Sequence, residues 1–444
     1  MNHTHPIIKG TILLTSAGFI SRIIGFFYRI FLSHTIGAEG IGIYQLIFPI
    51  SAVCYALTCA GIQTAVSKLI AEIQGRRSGA STKDFLLAGF LISALLSTIC
   101  AVTLFSKADW IAGSIIQEER CAPLLRILAC SVPLEAVHSL CNGYFFGQKK
   151  TKTPAVSQLV EQIVRVLSVY YIYISYFQNT DTMPIRTIVI GTVAGETAAM
   201  IYSLICAYLC MKSSAKDTVS PMNPRNLCPC MQRITRLATP LSSSRIVLNL
   251  LVAAEAIYIP NRLIQFGYSS SDALSTYGIL TGMALPVILF PSAITNSASV
   301  ILLPLISEAD SKGNHTDVSA SVRKCIASCL CLGFFSTIGF LVCGNLIGRV
   351  LFQNSMVGDF IMTLAFICPF LYLTTTLNSV MHGLGQTTRS FLFSLTGLSI
   401  RIFFVLYAIP QIGIRGYLYG LLASQICTTG LCTWNLRKYW QTGG

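Results

Sequence analysis

The feature that most constrains this chain is the length and number of its apolar segments. About twelve mostly apolar stretches follow one another along the 444 residues. A bilayer core is about 30 Å thick, and a helix needs roughly 20 residues to cross it. Because each stretch reaches that length, the sequence predicts an all-α polytopic membrane protein. The predicted spans are 8–32, 41–70, 84–106, 122–146, 155–178, 185–211, 233–258, 274–306, 322–351, 358–382, 390–410 and 413–436.

The composition excludes a water-soluble fold. Hydrophobic residues make up 53% of the chain and charged residues 11%, whereas a soluble domain has about 25% charged residues. The net charge of +14 does not indicate nucleic acid, because the basic residues lie in short clusters at helix ends. Most of the 17 cysteines fall inside apolar spans, where they pack as small hydrophobes. We therefore predict no metal and no cofactor.

The basic clusters predict the orientation of the chain in the membrane. They follow the second, fourth and sixth spans, and cytoplasmic connections carry an excess of Lys and Arg. Both termini are therefore predicted to be cytosolic. The clusters comprise Lys68, Arg76, Arg77 and Lys83; Lys149, Lys150 and Lys152; and Lys212, Lys216, Arg225, Arg233 and Arg236.

A weak repeat relates the two halves of the sequence. Three polar or proline positions recur 236 residues further on, and a pair of glycines recurs at a slightly different offset. The repeat predicts two six-helix lobes, residues 1–212 and 233–444, joined by a cytosolic linker at 213–232. An even number of spans gives both lobes the same direction, so we expect a central cavity between them. The repeated residues are Pro133, Asn142, Arg165, Gly191 and Gly195 in the first half, and Pro369, Asn378, Arg401, Gly416 and Gly420 in the second.

Arginines inside the spans are the candidate binding residues. Arg22 and Arg29 lie seven residues apart, so they share one face of the first helix. Facing a cavity, two guanidinium groups would bind phosphate oxygens. The alternative is that Arg29 reaches an interface while Arg22 pairs with a carboxylate. In the seventh span Arg245 and Asn249 lie one turn apart and offer a similar site, with a plain interhelical ion pair as the alternative.

Other ionisable residues divide into predicted structural and functional groups. Glu161 and Arg165 form an i,i+4 pair and are expected to neutralise each other. Arg401, the repeat counterpart of Arg165, has no acid four residues before it. It is therefore expected to bind substrate, and its loss to affect transport more than assembly.

Three further ionisable residues inside the spans are candidates for ion coupling. They are Glu135, His138 and Glu196. Ionisable groups at membrane depth are costly and often mark ion or proton pathways. Packing or interhelical hydrogen bonding is the alternative for each of them.

Similarity to a known family lies in six stretches of the chain: Lys9–Thr15, Ile20–Arg29, Ile36–Pro49, Ala60–Glu72, Leu302–Glu308 and Asn378–Gln386. In these stretches the sequence resembles the stage V sporulation protein B family, which belongs to the multidrug/oligosaccharidyl-lipid/polysaccharide flippase superfamily. The resemblance implies a two-lobed transporter of the bacterial cytoplasmic membrane that flips an undecaprenyl-pyrophosphate-linked saccharide, similar to lipid II, to the outer leaflet by alternating access. It also implies that Arg22 faces the central cavity.

Three alternatives to a saccharide flippase remain at this stage. A multidrug or cation-coupled exporter of the same superfamily would share the lobes, but carboxylates would be expected in its cavity. A membrane enzyme would need carboxylates at the membrane surface and a large outer loop, which the short external connections do not provide. A non-transporting scaffold of cell-wall synthesis leaves the buried arginines without a role. We expect a non-enzymatic monomer whose partners are membrane lipids and a polyprenyl-linked saccharide.

Overall fold

The computed structural model describes residues 6–75, 82–178, 182–214, 227–296, 299, 306 and 315–441. Across these residues the structure is helical and contains no β-strand, which confirms the predicted all-α class. The predicted linker at 213–232 lies mostly outside the described residues. Its last part is helical, because the following helix begins at Leu227.

Fourteen helices, α1 to α14, organise the described residues. Short helices at Ala108–Trp110 and Ile409–Ile412 and four π-helical segments lie between some of them. The helices are α1 Pro6–Tyr55, α2 Gly61–Gly75, α3 Thr82–Ser106, α4 Cys121–Gly147, α5 Lys152–Ile172, α6 Arg186–Ser214, α7 Leu227–Phe266, α8 Ser270–Gly278, α9 Leu285–Leu289, α10 His315–Leu351, α11 Ser355–Ala365, α12 Cys368–Gly383, α13 Thr387–Tyr407 and α14 Ile414–Gln441.

Eight helical stretches among the described residues are long and apolar enough to cross a membrane, or nine if one bent pair counts as a span. One of them, Ile12–Ile73, is 62 residues long. It contains the first two predicted spans, separated by Gly37, whose φ of 70° lies in the left-handed region that favours glycine. Helices occupy the other predicted spans as well, so the chain is a multi-span membrane protein.

Prolines break two of the predicted spans. Helices α11 and α12 are bent by 60° where Phe366 and Ile367 interrupt them, just before Pro369. The predicted span 274–306 breaks at Phe290 and Pro291. Proline removes a backbone donor and clashes with the preceding turn, so a bend at these positions is expected.

The chain divides into two compact units. Unit 1 comprises Met1–Gly25 and Leu46–Ala253, and unit 2 comprises Phe26–Gln45 and Ala254–Gly444. The unit boundaries therefore fall inside α1 and α7 and do not follow the two sequence halves. The predicted lobes at 1–212 and 233–444 stay a prediction.

Each unit has its own apolar core. In unit 1, residues from α2, α3, α4, α6 and the start of α7 pack together, with Phe85 and Val66 fully buried. In unit 2, a second cluster joins α10, α12 and α14, with Leu377 and Cys432 fully buried. Lipid tails are as apolar as these side chains, so close packing rather than exclusion of water stabilises such cores.

A glycine pair brings two consecutive helices close together in each half of the chain. A Cβ added at Gly195 of α6 would lie 2.6 Å from the carbonyl oxygen of Glu161 on α5. A Cβ at Gly420 of α14 would lie 2.5 Å from the Cβ of Phe404 on α13. Small residues four apart permit such approach between membrane helices. The repeated glycines therefore have the same role in both halves of the chain, which is to permit close packing of two consecutive helices.

Candidate functional site

A buried histidine–glutamate pair lies inside unit 1. His138 on α4 and Glu196 on α6 are 9% and 10% exposed, and His138 Nδ1 lies 2.7 Å from Glu196 Oε1. They come together because helices α4 and α6 pack against each other. Of the three residues predicted for ion coupling, the structure thus joins two.

Two polar side chains hold the other ring nitrogen of His138. The amide nitrogen of Asn142 lies 3.0 Å from His138 Nε2, and Ser157 Oγ lies 3.1 Å from it. An amide nitrogen only donates, so Nε2 accepts and the proton of the neutral ring is on Nδ1. Nδ1 then donates to the Glu196 carboxylate.

Further carboxylates surround this pair. Glu161 and Arg165 of α5 form the predicted i,i+4 ion pair, which the structure confirms. The atoms of Glu161, Glu196 and His138 that could bind a metal ion, one carboxyl oxygen from each glutamate and one ring nitrogen, all lie within 4.8 Å of one another. Both ring nitrogens of His138 are engaged in hydrogen bonds, so we assign no metal centre here.

Glu135 lies on α4, one turn before His138, and is half-buried. It forms no hydrogen bond or ion pair with any described residue. Its electrostatic neighbours are Glu196, Glu161 and Arg165. The cluster therefore contains three carboxyl groups, one guanidinium and the imidazole of His138.

Arg245 and Asn249 of α7 contact the backbone of unit 1. Arg245 Nη1 donates to the Ala60 carbonyl at 3.2 Å, and Asn249 Nδ2 donates to the Ala52 carbonyl at 2.9 Å. These carbonyls lie at and before the π-helical segment Ala56–Ala60, and such segments often occur at functional sites. Arg245 is exposed and has no acid partner among the described residues, so most of its donors remain available.

The arginines of α1 divide between the two units. Arg22 belongs to unit 1 and is exposed, whereas Arg29 belongs to unit 2 and is half-buried. Neither forms a hydrogen bond or ion pair with a residue that the structure describes. The alternative in which Arg22 pairs with a carboxylate from another span is not seen among these residues.

The expectation that Arg401 lacks an acid partner is wrong. In unit 2, Arg401 of α13 forms a bidentate ion pair with Glu255 of α7, with Nε 2.7 Å from Oε1. Tyr417 of α14 also donates to Glu255 Oε1, at 2.9 Å. The acid is 146 positions away in sequence, so the search for an acid on the same helix missed it.

Sequence reasoning also missed a polar cluster on α1, α2 and α4. The Gln63 side-chain oxygen accepts from Tyr55 at 2.8 Å and from Ser139 at 2.9 Å. Ser139 lies one turn after Glu135 and next to His138, so the polar groups of α4 share one face of the helix. The signal that could have found them is the polar spacing Glu135, His138, Ser139 and Asn142 within an otherwise apolar span.

The fold of this chain is similar to that of solved membrane transporters. An inward-facing multidrug resistance MATE family transporter of the MOP superfamily aligns with 96% of this chain and 98% of its own, with a TM-score of 0.69 and 15% identity. At that identity the likeness shows the two-lobed all-α fold alone.

Sequence comparisons identify the family of the chain. The chain is 28% identical to stage V sporulation protein B of Bacillus subtilis (strain 168) over 95% of its length and 82% of that protein. It is 21% identical to the lipid II flippase MurJ of the same organism, over 75% of its length and 63% of that protein. Residues 7–310 match the model of the polysaccharide biosynthesis protein family, and the chain belongs to that family.

Proposed function

We propose that this protein is a flippase that moves a lipid-linked saccharide bearing a pyrophosphate across the bacterial cytoplasmic membrane. The relatives that it resembles over most of its length include one whose name is lipid II flippase. The observation that carries the proposal is Arg22, an exposed guanidinium on a membrane helix that makes no ion pair among the described residues. A permanent cation at such a position needs an anionic partner.

The phosphate-binding groups in this proposal are Arg22 and Arg245. Both are exposed residues of unit 1, and arginine binds phosphate oxygens through two parallel hydrogen bonds. Arg29 in unit 2 and Asn249 are secondary candidates. Arg401 also remains a predicted binding residue, but its guanidinium is already engaged by Glu255. Transport would proceed by alternating access, with no chemical change of the substrate and hence no enzymatic activity.

A multidrug exporter is the second candidate. It is favoured by the MATE transporter that shares the fold and by the carboxylate cluster of unit 1. A cationic drug would bind carboxylates, whereas a pyrophosphate would bind Arg22 and Arg245. The two candidate functions therefore differ in which substitutions are expected to abolish transport.

Flipping can be measured in proteoliposomes with a fluorescent undecaprenyl-pyrophosphate-linked saccharide and a quencher that does not cross the membrane. Charged hydrogen bonds contribute about 1.5–3 kcal/mol, and about 1.4 kcal/mol is a factor of ten. We expect Arg22→Ala to reduce the flipping rate about tenfold or more.

The matched control is Arg415→Ala, an exposed arginine in the first turn of α14. We expect it to flip at the wild-type rate. Full activity of Arg22→Ala and Arg245→Ala at normal protein levels would exclude this binding site. Export of a cationic dye by the wild type, with no saccharide flipping, would favour the exporter instead.

A further inference from the structure

The buried cluster of unit 1 is absent from the corresponding positions of the second half of the chain. His138 follows Pro133 by five residues, and the residue five after Pro369 is Thr374. Glu196 directly follows the glycine pair of α6. Leu421 directly follows the glycine pair of α14. The second half therefore forms the repeated structure without a histidine or an acid at these positions.

The rest of the local architecture is shared by both halves. Ser157 lies 3.4 Å from the Asn142 side-chain oxygen in unit 1, and Ser390 lies 3.1 Å from that of Asn378 in unit 2. The second half does have a histidine near this serine, because His382 Nε2 lies 3.4 Å from Ser390 Oγ. Among the described residues, however, His382 has no carboxylate partner. The helix contact thus needs the asparagine and the serine, but not the histidine–glutamate pair.

We infer that His138 and Glu196 bind one proton, and that this proton is the coupling ion of transport. The geometry supplies partners for both states of the ring. With a neutral ring, Nδ1 donates to Glu196 and Nε2 accepts from Asn142. After protonation, Nε2 donates to Ser157 Oγ, whose own proton is donated to the Pro154 carbonyl at 3.0 Å. Asn142 then needs only a rotation of its amide to present its oxygen.

The charges around the pair favour such an uptake. The charged groups that face it are Glu135 from its own helix and Glu161 and Arg165 from α5. Among these groups, Arg165 forms its ion pair with Glu161. The carboxyl group of Glu196 lies 2.7 Å from Nδ1 of His138, so a positive charge on the ring would have a carboxyl partner at hydrogen-bonding distance. At membrane depth an ionisable group needs such a partner.

Neutral titratable groups complete the surroundings. Cys59, in the π-helical segment Ala56–Ala60, has Glu135 and Glu196 as electrostatic neighbours. Tyr55 and Cys54 of α1 have Glu135 as a neighbour, and Cys100 of α3 contacts Cys54. Among the described residues, none of these four side chains hydrogen-bonds to His138 or Glu196, so the contacts given above are the ones that hold the proton of the pair.

A proton is preferred to a metal ion for a geometric reason. Both nitrogens of His138 are already within hydrogen-bonding distance of protein groups, and a metal would have to break the 2.7 Å contact with Glu196. A proton uses the same contacts. The coupling step rests on the proposed function, whereas the binding of the proton does not.

The state of His138 can be read by nitrogen NMR on histidine-labelled full-length protein in nanodiscs. The signals missing in His138→Gln identify the residue among the six histidines. Between about pH 8 and about pH 5, where an imidazole changes charge, we expect conversion from the Nδ1–H form to the imidazolium. In Glu196→Gln the imidazolium is expected to be missing at a pH where the wild type shows it.

A single protonation state of His138 across that range would overturn the inference. A change of the His138 signals on adding Na⁺ or Zn²⁺ at constant pH would overturn it as well, in favour of a metal site. His382→Gln is the matched control, because it removes a serine-bonded histidine that has no acid partner. We expect it to leave the His138 signals unchanged.

Proteoliposomes with an imposed pH gradient and a clamped membrane potential test the coupling. With the fluorescent saccharide probe, we expect the gradient to accelerate flipping several-fold in the wild type and in His382→Gln, but not in His138→Gln or Glu196→Gln. A wild type that flips at the same rate with and without the gradient would refute coupling. If His138 titrates but no saccharide flips, the proton site stands and the proposed function fails.

Discussion

At the scale of single residues, two arginines related by the repeat are neutralised in different ways. Arg165 pairs with Glu161 one turn earlier on the same helix, whereas Arg401 pairs with Glu255 on a different helix. The Glu255 side chain is only 3% exposed and also accepts from Tyr417. Breaking one member of a buried pair leaves the other charge uncompensated. The two pairs therefore predict different consequences for the assembly of the protein.

Loss of Arg401 is expected to impair stability before it impairs transport. The sequence alone predicted the reverse, because it revealed no acid partner. Arg401→Leu leaves Glu255 buried and unpaired, which typically costs about 3–5 kcal/mol. We expect a lower thermal unfolding temperature and a lower membrane-inserted level, and partial recovery in the double variant Arg401→Met with Glu255→Gln. A stable Arg401→Leu protein that no longer flips would instead assign Arg401 to the substrate.

Because Glu161 and Arg165 neutralise each other within one helix, we expect the loss of both charges to be tolerated better than the loss of one. Glu161→Ala strands the guanidinium of Arg165 in the membrane, whereas Glu161→Ala combined with Arg165→Leu removes both charges. We expect the double variant to reach a higher membrane-inserted level than the single one, as measured by quantitative blotting of purified membranes. Equal levels of the two variants would show that Arg165 is compensated without Glu161.

The pairs show which residue-scale features the sequence reveals. An i,i+4 pair is visible because helical geometry fixes which positions are neighbours, and Glu161 with Arg165 was predicted for that reason. His138 with Glu196 and Arg401 with Glu255 are 58 and 146 positions apart. Such contacts depend on which helices pack together. The sequence therefore identified most of the ionisable residues, but not their partners.

At the scale of helices, the glycine pairs make a repeated packing element. The approach of α6 to α5 and of α14 to α13 depends on positions without a Cβ. The sequence showed the glycines and their repetition, since four-residue spacing places both on one face. The partner helix could not be predicted from the spacing. In both halves, the partner is the long helix that comes before in the chain.

A methyl group at these positions is expected to disrupt the packing. In Gly195→Ala the new Cβ would lie 2.6 Å from the backbone oxygen of Glu161 on α5, and in Gly416→Ala it would lie 2.6 Å from the backbone carbon of Ala408, just after α13, so the packed segments must move apart. Overpacking of this kind costs about 1–3 kcal/mol. We expect both variants to unfold at lower temperature in detergent. Gly430→Ala, on α14 with nothing within 4 Å, is the control and should match the wild type.

At the scale of the whole molecule, the length and apolarity of the segments were enough to predict the fold class. Every predicted span contains helix, because a segment of that length and apolarity has no other way to satisfy its backbone in lipid. The boundaries of the compact units were not predictable in the same way. They fall within the continuous helices α1 and α7, where the sequence has neither a linker nor a change in composition.

The orientation of the chain in the membrane can be tested at the two ends of helix α4. Helix α4 is 27 residues long, or about 40 Å at roughly 1.5 Å per residue, enough to cross the membrane. Lys107 lies before it, and Lys152 lies after it at the start of α5; both are exposed. The basic connection after α4 should be cytosolic.

On a cysteine-free background, an impermeant maleimide should label Lys107→Cys in intact cells and label Lys152→Cys only after permeabilisation. These two variants control for each other, because each replaces an exposed lysine with the same thiol. Labelling of Lys152→Cys from outside intact cells would show that the topology is the inverse of the predicted one. The proposed substrate would then have to reach Arg22 from the opposite face of the membrane.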